Sequence, residues 1–173
     1  MGSPASELRD GMRIDWDAPI PMDDGLTLRA DVFCPPEPGV YPVILSYGPY
    51  AKGLAFQEGY PSAWQRMVAQ HPDVAHGSTN KYQNWEVADP EKWVPDGYAC
   101  VRVDSRGAGR SPGHIDHFSP RETKDFHLCI EWAGVQRWAI AEPILPVPAT
   151  PIFKWSSFAR ACRVDTCRSV GSN

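Results

Sequence analysis

The sequence predicts an α/β fold, in which helices pack on a sheet whose inner strands are buried on both faces. Two short, nearly continuous apolar runs, residues 41–47 and 98–103, are typical of such strands. A segment with helix-start signals follows each run. The chain has 173 residues, 42% of them hydrophobic and seven of them tryptophan, which suits one globular domain with its own core.

The first predicted element is a β-hairpin over residues 20–33. Asp24 and Gly25 form a hairpin-turn dipeptide, and the residues after it alternate between apolar and polar, as in a half-buried strand. The apolar positions are Leu26, Leu28, Ala30 and Val32. Residues 1–13 are predicted to be a disordered N-terminus, so the domain is expected to begin at residue 14.

Two helices are predicted from capping boxes. Ser62 with Gln65 begins a helix over residues 62–70, which a proline ends, and residues 73–92 then form a long polar loop. Ser119 with Glu122 begins the second helix, with a proline at its first helical position. The face of that helix expected to pack on the sheet consists of Phe126, Cys129, Ile130 and Ala133.

The character of the chain changes after Gln136. Residues 137–173 hold four prolines within nine positions and five basic residues against two acidic ones, a net charge of +3. They show no period of 2 or 3.6 residues, so an irregular Pro- and Arg-rich tail is predicted.

Charge and cysteine usage exclude several classes of function. The net charge is −4 with no basic run, which argues against nucleic-acid or membrane partners. Five cysteines are an odd number in a chain without an N-terminal secretory signal, so reduced thiols and a cytoplasmic location are expected.

Four segments, in this order, carry a resemblance to one family: residues 49–53 (Pro-Tyr-Ala-Lys-Gly), 93–99 (Trp-Val-Pro-Asp-Gly-Tyr-Ala), 104–111 (Asp-Ser-Arg-Gly-Ala-Gly-Arg-Ser) and 122–126 (Glu-Thr-Lys-Asp-Phe). Together they resemble the X-Pro dipeptidyl-peptidase-like hydrolases, which include the cocaine-esterase and glutaryl-acylase relatives. The resemblance spans residues 14–136. It implies the N-terminal half of an α/β-hydrolase sheet, namely a hairpin, two buried strands and two helices, followed by the irregular tail.

The resemblance implies serine-hydrolase chemistry on small-molecule esters, amides or X-Pro peptides, through an acyl-enzyme intermediate. That chemistry needs a nucleophilic serine, a histidine base, an orienting aspartate and donors for the developing oxyanion. Tyr50 matches the tyrosine that donates to the oxyanion in the family; from the sequence alone, Tyr50 could equally be a packed aromatic residue after a proline. No cofactor is implied.

The Asp-x-Arg-Gly-x-Gly element is expected to have a structural role. Asp104 and Arg106 can hold the turn at Gly107 and Gly109 through charge-assisted hydrogen bonds. The alternative is a solvated turn with unpaired charges.

A literal nucleophile-elbow pattern, Gly-x-Ser-x-Gly, occurs at residues 109–113. Ser111 is not expected to be the nucleophile, because the strand ends near Val103 and Pro112 has no backbone N–H to offer the oxyanion. Ser105 lacks the leading glycine. His114 and His117, or Cys162 and Cys167, lack the further ligands of a metal site, so no metal is expected.

The match to the family ends at Gln136, before any nucleophile, triad Asp or triad His. The chain is therefore expected to be truncated before the nucleophile and inactive, as a reading-frame shift, a retained intron or an alternative exon would produce. One alternative is a non-catalytic fragment or interaction module that self-associates through the open sheet edge at residues 43–46. A third possibility is an active enzyme with an unrecognised site.

Overall fold

The computed structural model describes residues 5–50, 52–136, 152–153 and 162–163. The strands are β1 (Ala5–Arg9), β2 (Met12–Pro21), β3 (Thr27–Cys34), β4 (Val43–Gly48), β5 (Ala99–Asp104), β6 (Ile152–Phe153) and β7 (Cys162–Arg163). The helices are α1 (Phe56–Gly59), α2 (Pro61–Gln70), α3 (Pro90–Trp93) and α4 (Pro120–Val135), with a 3₁₀ turn at Pro72–Ala75. Among the described residues, no helix combines the length and apolar character needed to cross a bilayer.

The strands form one mixed sheet in the order β1-β2-β3-β5-β4-β6-β7. The pairs β1–β2, β2–β3 and β3–β5 are antiparallel, whereas β4 and β5 run parallel, with Gly48 beside Asp104 at their carboxyl ends. The α/β prediction is confirmed, and residues 49–98 form the crossover between the two parallel strands.

The prediction of a disordered N-terminus was wrong over residues 5–13. These residues form β1 and the start of β2, which pair antiparallel. Asp10 and Gly11 connect the two strands with φ angles of 51° and 74°, the left-handed conformation that a tight hairpin turn requires. Two successive hairpins in this chain thus each have an Asp-Gly dipeptide in the turn.

The inner strands of the sheet are buried on both faces, whereas β1 at its edge is exposed. On one face, alternate residues of β3, β4 and β5 pack against α4 around Cys129 and Ala133. On the other face, Phe33, Ile44 and Cys100 pack against the crossover. This two-sided burial explains why the inner strands are nearly continuous apolar runs.

The two predicted helices begin differently. The Ser119 hydroxyl accepts a hydrogen bond from the Glu122 amide at 3.1 Å, while the Glu122 carboxylate accepts from the Phe118 amide at 2.6 Å. The Ser62 capping box was wrong: α2 begins at Pro61, after an N-cap residue, Tyr60, that makes no side-chain cap. The proline takes the first helical position and so places Ser62 inside the helix.

The outer edge of β4 is largely unpaired within the described residues. β6 pairs with it at Val43 and Phe153 only, and β7 pairs antiparallel with β6. These two-residue strands are the described part of the predicted irregular tail; the rest of residues 137–173, including Cys167, lies outside the described residues.

Candidate functional site

A cavity of about 820 Å³ runs along the outer edge of β4. The crossover borders it on one side and α4 on the other. Its aromatic lining consists of Tyr47, Tyr50, Trp85, Phe118 and Phe126. The cavity opens at the carboxyl ends of β4 and β5, which is the edge where α/β sheets bind ligands.

Tyr50 lies at this edge, two residues after the end of β4. The residue is 51% exposed and lines the cavity. It is therefore neither packed in the core nor remote from the cavity. The loop that carries it is held from β5, because the Ser105 amide donates to the Gly48 carbonyl at 3.0 Å.

Asp104 joins the loops that follow the two parallel strands. One carboxylate oxygen accepts from the Lys52 amide at 2.9 Å, and the other accepts from the Arg110 amide at 2.8 Å. The residue is 1% exposed. A β-carbon on Gly109 would lie 2.2 Å from the same carboxylate, so only glycine fits against it.

Arg106 is paired with carboxylates outside its own turn. Its guanidinium donates to Asp125 of α4 at 2.6 and 3.1 Å and contacts Asp24 of the β2–β3 turn at 2.9 Å. Arg121 binds the same Asp125 carboxylate. Burial acts to raise the pKa of Asp125, but the bonds from both arginines outweigh it and hold the pKa below its usual value. Arg106 thus ties the motif to α4 and the hairpin rather than to Gly107.

Sequence inspection missed a buried ionic cluster beneath the Tyr50 loop. The Lys52 ammonium lies 2.6 Å from Asp17 and 2.7 Å from Asp31, and the Asp31 side chain is 2% exposed. The two carboxylates raise the pKa of Lys52 against the opposing effect of burial, so the ammonium is charged. Arg110 completes the cluster on the solvent side, 2.7 Å from Asp17.

A β-bulge makes this cluster possible. The register of β2 against β3 shifts between Asp15 and Ala18, and Asp17 sits in the left-handed region at φ 54°. The Asp17 amide donates to the Asp31 carboxylate at 3.0 Å. The bulge re-aims the Asp17 side chain so that it meets Lys52.

A second buried cation, Arg102, lies on the same face of the sheet as Asp31, its register partner, and holds the crossover to that face. The Arg102 guanidinium on β5 donates to the Asn84 side chain and to the Ala88 carbonyl, each at 3.1 Å. It lies 5.0 Å from the centre of the Phe33 ring. Burial lowers the pKa of Arg102 to about 10, which still leaves it charged at neutral pH.

Ser111 bridges two strands instead of facing the cavity. Its hydroxyl donates to the Asp104 carbonyl at 2.6 Å and accepts from the Arg29 amide at 2.9 Å. Ser105 is also buried. In residues 5–50 and 52–136, no serine hydroxyl is hydrogen-bonded to a histidine. Across the described part of the chain, no group of three or more His, Cys, Asp or Glu side chains is placed to hold a metal ion.

Comparison with known proteins agrees with the fold and the motifs. Residues 24–141, more than half of the chain, match the X-Pro dipeptidyl-peptidase (S15) family. Cocaine esterase of Rhodococcus sp. (strain MB1 Bresler) is 29% identical over 123 residues, which are 69% of this chain and 16% of the esterase.

Two crystal structures of a CocE/NonD family hydrolase from Staphylococcus aureus share 32% sequence identity with the chain, with TM-scores of 0.60 and 0.59. Each match covers 74% of this chain and 22% or 21% of the hydrolase. The chain thus spans less than a quarter of the length of these relatives. It belongs to the X-Pro dipeptidyl-peptidase (S15) family of hydrolases, within its CocE/NonD-like group.

Proposed function

We propose that this chain supplies the oxyanion-hole side of a serine acyl-hydrolase site for esters, amides or X-Pro peptides, with Tyr50 as the donor. The observation that carries the proposal is the place of Tyr50, exposed to the aromatic cavity at the carboxyl end of β4. A phenol held at that edge can donate a hydrogen bond to the oxygen of a tetrahedral intermediate, where negative charge develops.

We further propose that the described residues do not hydrolyse these substrates by themselves. A serine needs a base within hydrogen-bond reach to become a nucleophile, and the described serines have no histidine partner. Ser111 is occupied by two backbone hydrogen bonds and is 5% exposed. Truncation before the nucleophile and a cytoplasmic location stay predictions from the sequence.

Two measurements test the function. A fluorophosphonate probe should leave both the parent chain and Ser111→Ala unlabelled. Labelling of the parent that Ser111→Ala abolishes would show that this serine is a nucleophile and would contradict its structural role. Phenylphosphonate, an oxyanion mimic that needs no nucleophile, should bind at the cavity and shift NMR signals there. Tyr50→Phe should weaken this binding about three- to tenfold, the effect of one hydrogen bond. Unchanged binding would show that the Tyr50 hydroxyl does not contact the bound anion and would contradict its role as the donor.

A second candidate is an interaction module that self-associates through β4. The observation that favours it is the outer edge of β4, which pairs at Val43 alone in the described residues. Unpaired strand edges recruit other strands, and a lysine on the edge blocks such pairing. Sedimentation velocity at increasing concentration should then show a dimer that Ser46→Lys removes and the exposed control Ser62→Lys retains. A chain that stays monomeric throughout excludes this role.

A further inference from the structure

We propose that Lys52 is the positioning residue for Tyr50: its ammonium, held between Asp17 and Asp31, fixes the loop that presents the tyrosine to the cavity. This inference rests on the proposed function, in which Tyr50 is the oxyanion donor. The sequence suggests no role for this lysine, and nothing in the Pro-Tyr-Ala-Lys segment predicts its two partners.

The loop is attached at both ends. On the strand side, the Gly48 carbonyl accepts from the Ser105 amide. On the far side, the Lys52 amide donates to Asp104 at 2.9 Å. In the sequence, Tyr50 lies midway between these two attachments, and about half of the residue is exposed. The place of its hydroxyl therefore depends on how firmly the far attachment is held.

The Lys52 side chain makes the far attachment rigid. It is 7% exposed and reaches past the loop into the sheet, where it meets carboxylates from β2 and β3. A lysine on a loop normally keeps its ammonium in water, because burying an isolated charge is costly. Here two anions, one of them almost fully buried, compensate for that cost, so withdrawal of the side chain would leave a buried carboxylate without its partner.

The surroundings of the two aspartates also support a positioning role for Lys52. The bulge in β2 turns Asp17 toward the loop, and the Asp17 amide orients Asp31. Arg110, on the loop that follows β5, donates to the second oxygen of Asp17 at 2.7 Å. The cluster thus couples the Tyr50 loop to the loop that follows β5, which is the geometry expected of a support for a precisely placed donor.

The test combines a structural probe with a double-mutant cycle in the full chain. The six tyrosines are replaced by 3-fluorotyrosine, and Tyr50→Phe assigns the ¹⁹F signal of Tyr50. Lys52→Met should move or broaden that signal, Lys52→Arg should restore most of it, and Asp17→Asn should give an intermediate effect. Lys124→Met, which removes an exposed ion pair with Asp23, is the matched control and should leave the signal unchanged.

Phenylphosphonate binding then distinguishes two roles of Lys52: positioning Tyr50, or attracting the anion directly by its charge. Lys52→Met should weaken binding about three- to tenfold in the parent and have no further effect in the Tyr50→Phe background, because residues that act through each other are not additive. An equal loss in both backgrounds would mean that Lys52 attracts the anion directly and would overturn the proposal.

The experiment distinguishes a variant that fails to fold, a failure of the proposed role of Tyr50 and a failure of the proposed role of Lys52. If Lys52→Met does not fold, Asp17→Asn and Lys52→Arg carry the test, and an unmoved Tyr50 signal in Asp17→Asn overturns the proposal. If Tyr50→Phe alone leaves phenylphosphonate binding unchanged, the proposed function of Tyr50 fails. If Tyr50→Phe weakens binding and Lys52→Met does not, only the positioning role fails.

Discussion

Replacing Asp104 by asparagine should destabilise the domain although the side chains are nearly the same size. The carboxylate accepts one backbone amide on each oxygen, from Lys52 and from Arg110. Asparagine keeps one acceptor and turns an NH₂ group toward the other amide. A buried donor left without a partner costs about 1–3 kcal/mol, so Asp104→Asn should cost about 2 kcal/mol.

Asp104→Ala removes both acceptors and should cost about 4 kcal/mol, a large share of the roughly 5–15 kcal/mol that stabilise a typical domain. Urea unfolding followed by tryptophan fluorescence measures both values through the midpoint at constant slope. The matched control is Asp96→Asn, an exposed aspartate in the turn before β5, which should change stability by less than about 0.5 kcal/mol. A cost for Asp104→Asn as small as that of the control would refute the assigned hydrogen bonds.

Three further outcomes are expected. Ser111→Ala leaves the Arg29 amide without its acceptor and should cost about 2 kcal/mol in the same urea assay; an unchanged midpoint would contradict the bridge. Arginines hold the pKa of Asp125 below its ordinary 3.8, so its contribution to stability is complete above that pH and is lost as the pH falls from there through the lower pKa of the folded state. Arg121→Met should flatten this loss in urea midpoints measured from pH 5 to pH 2. Burial raises the pKa values of the buried thiols, to about 11 for Cys34 and about 12 for Cys100. Iodoacetamide at pH 8 should therefore modify them at least about a hundredfold more slowly in the native chain than in urea, as measured by peptide mass spectrometry; equal rates would contradict their burial. These cysteines are Cys34, Cys100 and Cys129.

Elements defined by local pattern were predictable from the sequence. The hairpin turn at Asp24 and Gly25, the two apolar inner strands and the Ser119 cap all depend on neighbouring residues, and the structure places each where the sequence predicts it. The first hairpin was missed although Asp10 and Gly11 carry the same turn signal and Met12, Ile14 and Trp16 of β2 alternate with charged residues. On the other side of the turn, β1 is exposed at every position and shows no apolar pattern that marks it as a strand.

The support of the candidate site could not be predicted in the same way. Lys52 is 35 residues from Asp17 and 21 residues from Asp31, and a β-bulge has to re-aim one of these carboxylates before they meet. One signal was available: Asp31 interrupts an otherwise apolar strand, and a buried acid requires a cation or donors. The identity of that partner follows only from the order of the strands in the sheet.

The hydrogen bonds by which Arg102 holds the crossover have a consequence for how the chain folds. The parallel pair β4–β5 forms only after a crossover of about fifty residues closes, and such distant pairings make folding slow. Arg102 lies on the face of β5 that the crossover covers, so its guanidinium becomes buried as the crossover docks and places Asn84 and Ala88 as acceptors. A crossover that docked without these two hydrogen bonds would bury the guanidinium with donors left unpaired, which penalises a misplaced crossover. The arginine therefore makes two events that are distant in sequence into one cooperative step, and amide hydrogens of β5 and of residues 84–88 should exchange through a common opening.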